Sequence, residues 1–202
     1  MRTLRAPTPV AALLAASLAV SLAMSLAACS GDSSDSGGPS EPGGSQATEE
    51  PGPLTTTANL GKVTGKLAQE KRATVRQQVR QAVDAWFDAA YVGGDYPRND
   101  FADSWPGFTA GAAADAKKDK ALMSNQDIGT ETTGVEATKR KVTVDVLAVK
   151  GRPVAATARV VLEFTADGDA PRDVVVRGRL FLTKSPDGWQ VFGYDMTKGD
   201  QA

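Results

Sequence analysis

Histidine is absent from this chain of 202 residues, and cysteine occurs once, at Cys29. The first absence removes Ser-His-Asp and Cys-His catalysis and histidine-based zinc sites. The second removes internal disulfides, which need two thiols. Neither the phosphate-cradling pattern G-x-x-x-x-G-K-[ST] nor the nucleophile elbow G-x-S-x-G occurs, so no cofactor and no metal are expected. Any chemistry falls to carboxylates, Tyr, Lys or Arg. Excess positive charge is also missing, since the chain carries a formal net charge of -1. A nucleic-acid partner is therefore not expected.

The longest apolar run lies at the front. Arg2 and Arg5 precede a stretch from Val10 to Ala28 without a charged side chain, and it ends in Leu26, Ala27, Ala28 and Cys29. A basic start followed by an apolar run reads as an export signal. The run is long enough to span a bilayer, but small residues and a thiol at its exit point to processing. "LAAC" resembles the lipobox of a bacterial lipoprotein signal: an aliphatic residue, two small residues and cysteine. That resemblance implies cleavage of residues 1–28 and diacylglyceryl attachment to the Cys29 sulfur. The mature chain would then be held by lipid on the outer face of the cell membrane. Two acyl chains anchor where one is marginal, at about 0.8 kcal/mol per buried methylene.

Residues 29–60 follow as an expected tether. They are rich in Gly, Ser and Pro, and between residues 30 and 60 carry five acids and no Lys or Arg. Such a segment buries too little surface to offset chain entropy. Residues 61–202 are expected to form one domain.

Within 67–94, Val75, Val79, Val83, Trp86, Phe87, Ala90 and Tyr91 recur at steps of three and four. This spacing predicts a long amphipathic helix ending at Gly93 and Gly94. Asp84 and Asp88 lie opposite the apolar stripe and are expected to face solvent. Asn99 is read as the cap of a short helix stopped by Pro106, and Thr109 as the cap of an Ala-rich helix reaching about Met123. Phe101, Trp105 and Phe108 dock this region on the long helix, with ligand stacking as the other reading.

From about residue 133 the period becomes two. Four strand-like runs alternate with "KGRP", "ADGDAP" and "KSPDG", predicting an antiparallel meander. Alternation puts Val154, Ala156, Ala158, Val160, Leu162 and Phe164 on the core side. A turn over 185–188 would pair Leu182 with Val191 and Leu180 with Gly193, which points Asp195 inward near Gly178. Two glycines beside an inward acid would leave a hollow with Asp195 as a candidate base or ligand contact; the other reading is an acid at a fraying strand end. The opposite face would carry Arg177, Arg179, Phe181, Phe192 and Tyr194, with Arg179 over Tyr194, and suits a partner protein or a second copy. Residues 59–66 or the carboxyl terminus are candidate covers for it.

A long helix carrying "VDAWFDAAYVGG" (83–94), a small helical segment and a four-stranded antiparallel sheet ending in "DGWQVFGYDM" (187–196) resemble the NTF2-like (SnoaL-like) superfamily. The resemblance is to the versions exported to actinobacterial envelopes and covers about residues 66–198. It implies an α+β cone with polar groups inside, here Asp195, Tyr91 and Tyr96. The expected ligand contacts are Trp86, Tyr91, Gly178, Gly193 and Asp195. The expected function is a non-enzymatic, lipid-anchored module that binds a partner protein or a small apolar ligand. The competing readings are a carboxylate-based isomerase or hydrolase using Asp195, and a structural spacer.

Overall fold

A computed structural model of the chain describes residues 54–201. The expected signal segment, Cys29 and the tether up to residue 53 lie outside the described residues.

The chain is α+β. Strand β1 (Thr57–Thr64) leads into helix α1 (Gln69–Phe87), which continues as one π-helical turn (Asp88–Val92). Helices α2 (Ala110–Lys118) and α3 (Lys120–Met123) follow, then strands β2 (Thr132–Val149), β3 (Arg152–Gly168), β4 (Arg172–Ser185) and β5 (Gly188–Asp200). The sheet has five strands in sequence order. β2 to β5 form the antiparallel meander, but β1 lies parallel to β2. The sheet is therefore mixed and five-stranded, not four-stranded and antiparallel. Parallel neighbours cannot be joined by a hairpin, so everything from Gly65 to Glu131 serves as the crossover. Residues 57–60, placed in the tether by composition, are sheet residues. β1 lies beside β2 at the sheet edge, so residues 59–66 do not cover the face.

The alternation of β1 breaks in mid-strand, which hides the strand from a period-two pattern. Its register to β2 shifts between Leu60 and Val63. There the Lys62 backbone N–H donates to the Asp145 carboxylate at 2.7 Å, so a side chain supplies the acceptor that the ladder lacks.

α1 buries Val75, Val79, Val83, Trp86 and Phe87 along one stripe. This stripe meets the inner face of the sheet, where Val142, Val144, Val160, Leu162, Phe164, Val176, Leu180 and Leu182 are all at most 1% exposed. Burial of this kind contributes about 1.5–3 kcal/mol per large side chain. Thr109 caps α2, its hydroxyl accepting from Ala112 N. Asn99 caps nothing, since residues 99–108 form turns and no helix. The segment is held instead by long-range backbone bonds, Arg98 N to Gly129 O at 2.7 Å and Thr109 N to Val191 O at 2.8 Å at its two ends and Val191 N to Gly107 O at 2.9 Å within it.

The π-helical turn leaves its carbonyls in need of donors. Ala89 O accepts from Arg98 Nη1 at 2.9 Å and from Ser104 Oγ at 3.3 Å. Ala90 O accepts from Asn125 N, and Tyr91 O accepts from the Tyr96 hydroxyl and from Asn125 Nδ2. The fully buried Asn125 thus ties the end of the long helix to the loop after α3.

Candidate functional site

Trp86 and Tyr91, expected as ligand contacts, are both fully buried. Trp86 Nε1 donates to Met123 O at 3.3 Å and the Tyr91 hydroxyl to Leu122 O at 2.7 Å. Phe87, Phe108 and Tyr91 stand around the Trp86 ring with centroids 5.3–6.2 Å apart. Their polar atoms are satisfied by the α3 backbone and their rings by one another. Burial pushes the Tyr91 hydroxyl well above the ordinary tyrosine pKa, with the Asp127 charge adding to the effect. Both residues thus stand in the packed core with their polar atoms paired within the protein.

Asp195 does not point inward. Leu182 pairs with Val191 as expected, but Phe181 then pairs with Gly193, so Phe192 is an extra residue on β5. One inserted residue reverses the facing of everything after it. Tyr194 and Met196 turn to the core side, and Asp195 turns outward, pairs with Arg179 across the ladder and meets its guanidinium at 2.5 Å. Its side chain is 58% exposed. The hollow beside Gly178 is absent for the same reason. A Cβ on Gly178 would stand 2.2 Å from Asp195 O and 2.8 Å from Met196 Sδ, and its φ of +151° suits only glycine. Gly178 therefore permits close backbone approach and does not make room. Gly193 faces Phe181 at ordinary contact distance. Trp86, Tyr91, Gly178, Gly193 and Asp195 do not come together as a site. A smaller irregularity between Leu147 and Ala148 likewise brings Val154 to the surface, against the expected core position.

The outer face carries Arg177, Arg179, Phe181 and Phe192 as expected, but not Tyr194, whose hydroxyl donates to Asp119 Oδ2 at 2.7 Å beside α2. Burial, with the Asp119 carboxylate as the next cause, pushes that hydroxyl upward. Arg179 is spent on Asp195 and does not lie over Tyr194. Arg159 binds Asp145 at 3.1 Å, and Lys139 binds Glu163 at 2.9 Å. Toward the ends of the strands the face becomes apolar. Leu147, Phe181 and Phe192, with Lys62 and Asp145, line a trough of about 280 Å³. Phe192 is 53% exposed and Leu147 44%. Among the described residues, the trough is lined by residues of the sheet alone.

Two charged clusters join residues far apart in the sequence. Asp84 does not face free solvent: it accepts from the Thr56 hydroxyl, from Arg80 at 2.8 Å and from Arg140 at 3.4 Å. Arg140 also binds Asp88 at 2.8 Å and donates from Nε to Thr56 Oγ1 at 3.0 Å. The cluster fastens the entry into β1 to α1 and β2. Lys198 donates to Ala121 O, Ser124 O and Asp127 Oδ1, at 3.1, 2.9 and 2.6 Å. All three of its N–H groups are used. Burial lowers its pKa, with Asp127 working against the shift. It is a largely buried cation that ties off the end of α3. Its partners lie more than 70 positions away in sequence, so no local pattern could have marked it. Among the described residues no group of His, Cys, Asp and Glu could hold a metal, and no helix is long and apolar enough to cross a membrane.

Comparison of the chain with protein-family models, with curated proteins and with solved structures finds no match.

Proposed function

We propose that this chain is a lipid-anchored envelope protein, held by Cys29 at the outer face of the cell membrane, whose NTF2-like domain binds a partner protein through its outer sheet face. The observation that carries the reading is the contrast between the two faces of the sheet. The inner face is filled by α1, with Trp86 and Tyr91 fully buried, whereas the outer face keeps Phe181, Phe192 and Leu147 uncovered around an open trough. At about 280 Å³ the trough falls below the 300–1,000 Å³ common for small-molecule pockets. It suits one apolar side chain of a protein, the kind of anchor on which interfaces concentrate their energy. Lys62 at its rim has no ion pair among the described residues and favours an acidic neighbour beside that anchor.

The two halves of the reading are tested separately. Cys29→Ala is expected to leave the leader uncleaved and abolish incorporation of a labelled fatty acid. Unchanged mature mass and unchanged labelling would disprove lipidation. For the surface, a photo-crosslinking residue at position 192 in intact cells is expected to give one discrete adduct, lost with Phe181→Asp and absent when the probe replaces the exposed Gln77 on α1. Equal adducts from both positions would refute docking through the sheet.

A further inference from the structure

The formal net charge of -1 conceals a charge polarity along the sheet. At one end β1 stops, β2 turns into β3 and β4 turns into β5. The start of α1 joins them there, Lys71 Nζ donating to Gly151 O in the β2–β3 turn at 3.1 Å. This end gathers Lys66, Lys71, Lys150, Arg152 and Lys184, all exposed, against Glu70 and Asp187. None of the five cations has an ion pair among the described residues. The other end, where β2 starts, β3 turns into β4 and β5 stops, carries Glu131, Asp167, Asp169, Asp173 and Asp200 against Arg172 and the Asp127-bound Lys198. Exposed apolar side chains gather with the cations. Val149 and Val154 flank the β2–β3 turn at 50% and 36% exposure, with Leu147 beside them at 44%, and among the described residues only Leu54 and Phe192 are other large apolar side chains so exposed.

We infer that the basic end of the sheet docks on an anionic phospholipid surface, with Val149 and Val154 entering the headgroup layer and the five cations meeting lipid phosphates around them. Each Lys or Arg beside an anionic membrane adds attraction within a Debye length of the surface, and buried apolar area adds to it. The long stems of these residues lie along apolar surroundings while their charged heads stay with phosphate. The acidic end is repelled by the same surface, so the two ends together favour one orientation. At about 3.3–3.6 Å per residue, the chain between Cys29 and Thr57 is long enough for the lipid anchor and the basic end to meet one membrane, since β1 separates Thr57 from that end by only 8 residues. The inference takes its envelope setting from the proposed function, but neither valine and none of the five cations lines the sheet trough.

The test uses the full chain with Cys29→Ala and a solvent-sensitive dye attached through Val149→Cys or, as control at the acidic end, through Asp169→Cys. Vesicles of equal parts phosphatidylcholine and phosphatidylglycerol are expected to blue-shift the dye at position 149 and not at 169. Vesicles of phosphatidylcholine alone should leave both unshifted, even where the apolar leader brings the chain to them. Lys150→Asn combined with Arg152→Gln should raise the lipid concentration needed for half the shift on the order of tenfold. Lys150 has a φ of 50°, which Asn also adopts, so the turn is kept. No shift with the anionic vesicles overturns the inference, as does an equal shift at position 169, on neutral vesicles or in the double variant. A shift that needs no vesicles and grows with protein concentration also overturns it, in favour of the basic end meeting the acidic end of a second copy. Because Cys29 is replaced throughout, a failure of lipidation leaves this result unchanged, and the crosslink at position 192 reports separately on the trough.

Discussion

Arg179 donates to the Asp195 carboxylate across β4 and β5 on the outer face of the sheet. The pair stands there because one extra residue, Phe192, precedes it on β5. With that residue in place the acid belongs to the surface; without it the acid would enter the core.

Deleting Phe192 should therefore be severe. The shortened strand would turn Asp195 inward and Met196 outward, leaving a carboxylate in the core without its partner. A charge left buried without compensation costs about 3–5 kcal/mol. Chemical denaturation should show a large drop in midpoint for the deletion, while Phe192→Ser, which keeps the extra residue, should change little. A mild deletion would mean that the strand does not depend on the bulge.

Asp195→Asn is expected to cost less than about 1 kcal/mol, because both side chains of the pair are more than half exposed and water screens them. The same denaturation measurement checks it. A large loss would place the acid in a less solvated setting than its exposure indicates.

The cluster around Arg140 should matter more. Its side chain is 11% exposed and Asp84 is 20% exposed, so Asp84→Ala strips a buried guanidinium and the Thr56 hydroxyl of a shared acceptor. A loss of about 1–3 kcal/mol is expected. Hydrogen exchange should rise first in β1, because Thr56 and Arg140 fasten its entry. Uniform exchange across the sheet would contradict that role.

Alkaline pH should unfold the domain. Tyr91, Tyr96 and Tyr194 all have folded pKa values raised above the ordinary 10.0, burial being the first cause in each. Above pH 10 the unfolded chain releases these protons while the folded chain still holds them, so the stability present below pH 10 is lost as pH rises. Lys198 acts in the opposite direction. Its folded pKa is lowered, so the unfolded chain holds the proton longer, and stability from this group rises as pH approaches 10.5. Three tyrosines against one lysine give a net fall, to be read as a lower urea midpoint at pH 11 than at pH 8. Tyr194→Phe should flatten part of that slope.

Much of the architecture could be read from local pattern. The three-and-four spacing of Val75, Val79, Val83 and Trp86 marks α1 because a helix repeats every 3.6 residues. The alternation from Ala156 to Phe164 likewise assigns the inner face of β3. Thr109 before an Ala-rich run marks the start of α2. The "KSPDG" run likewise marks the turn between β4 and β5, where Ser185 pairs with Gly188.

The order of residues along the chain thus determined which segments become helix and strand, where the long helix stops and which stripe of it seeks cover. Only tertiary structure decided which way Asp195 faces, that β1 joins the sheet, and what holds Lys198 and Asp84. The reason is physical. Helix and strand periods are local properties, written in neighbouring residues, whereas a bulge or a buried charge is settled by partners dozens of positions away that meet only when the chain has folded.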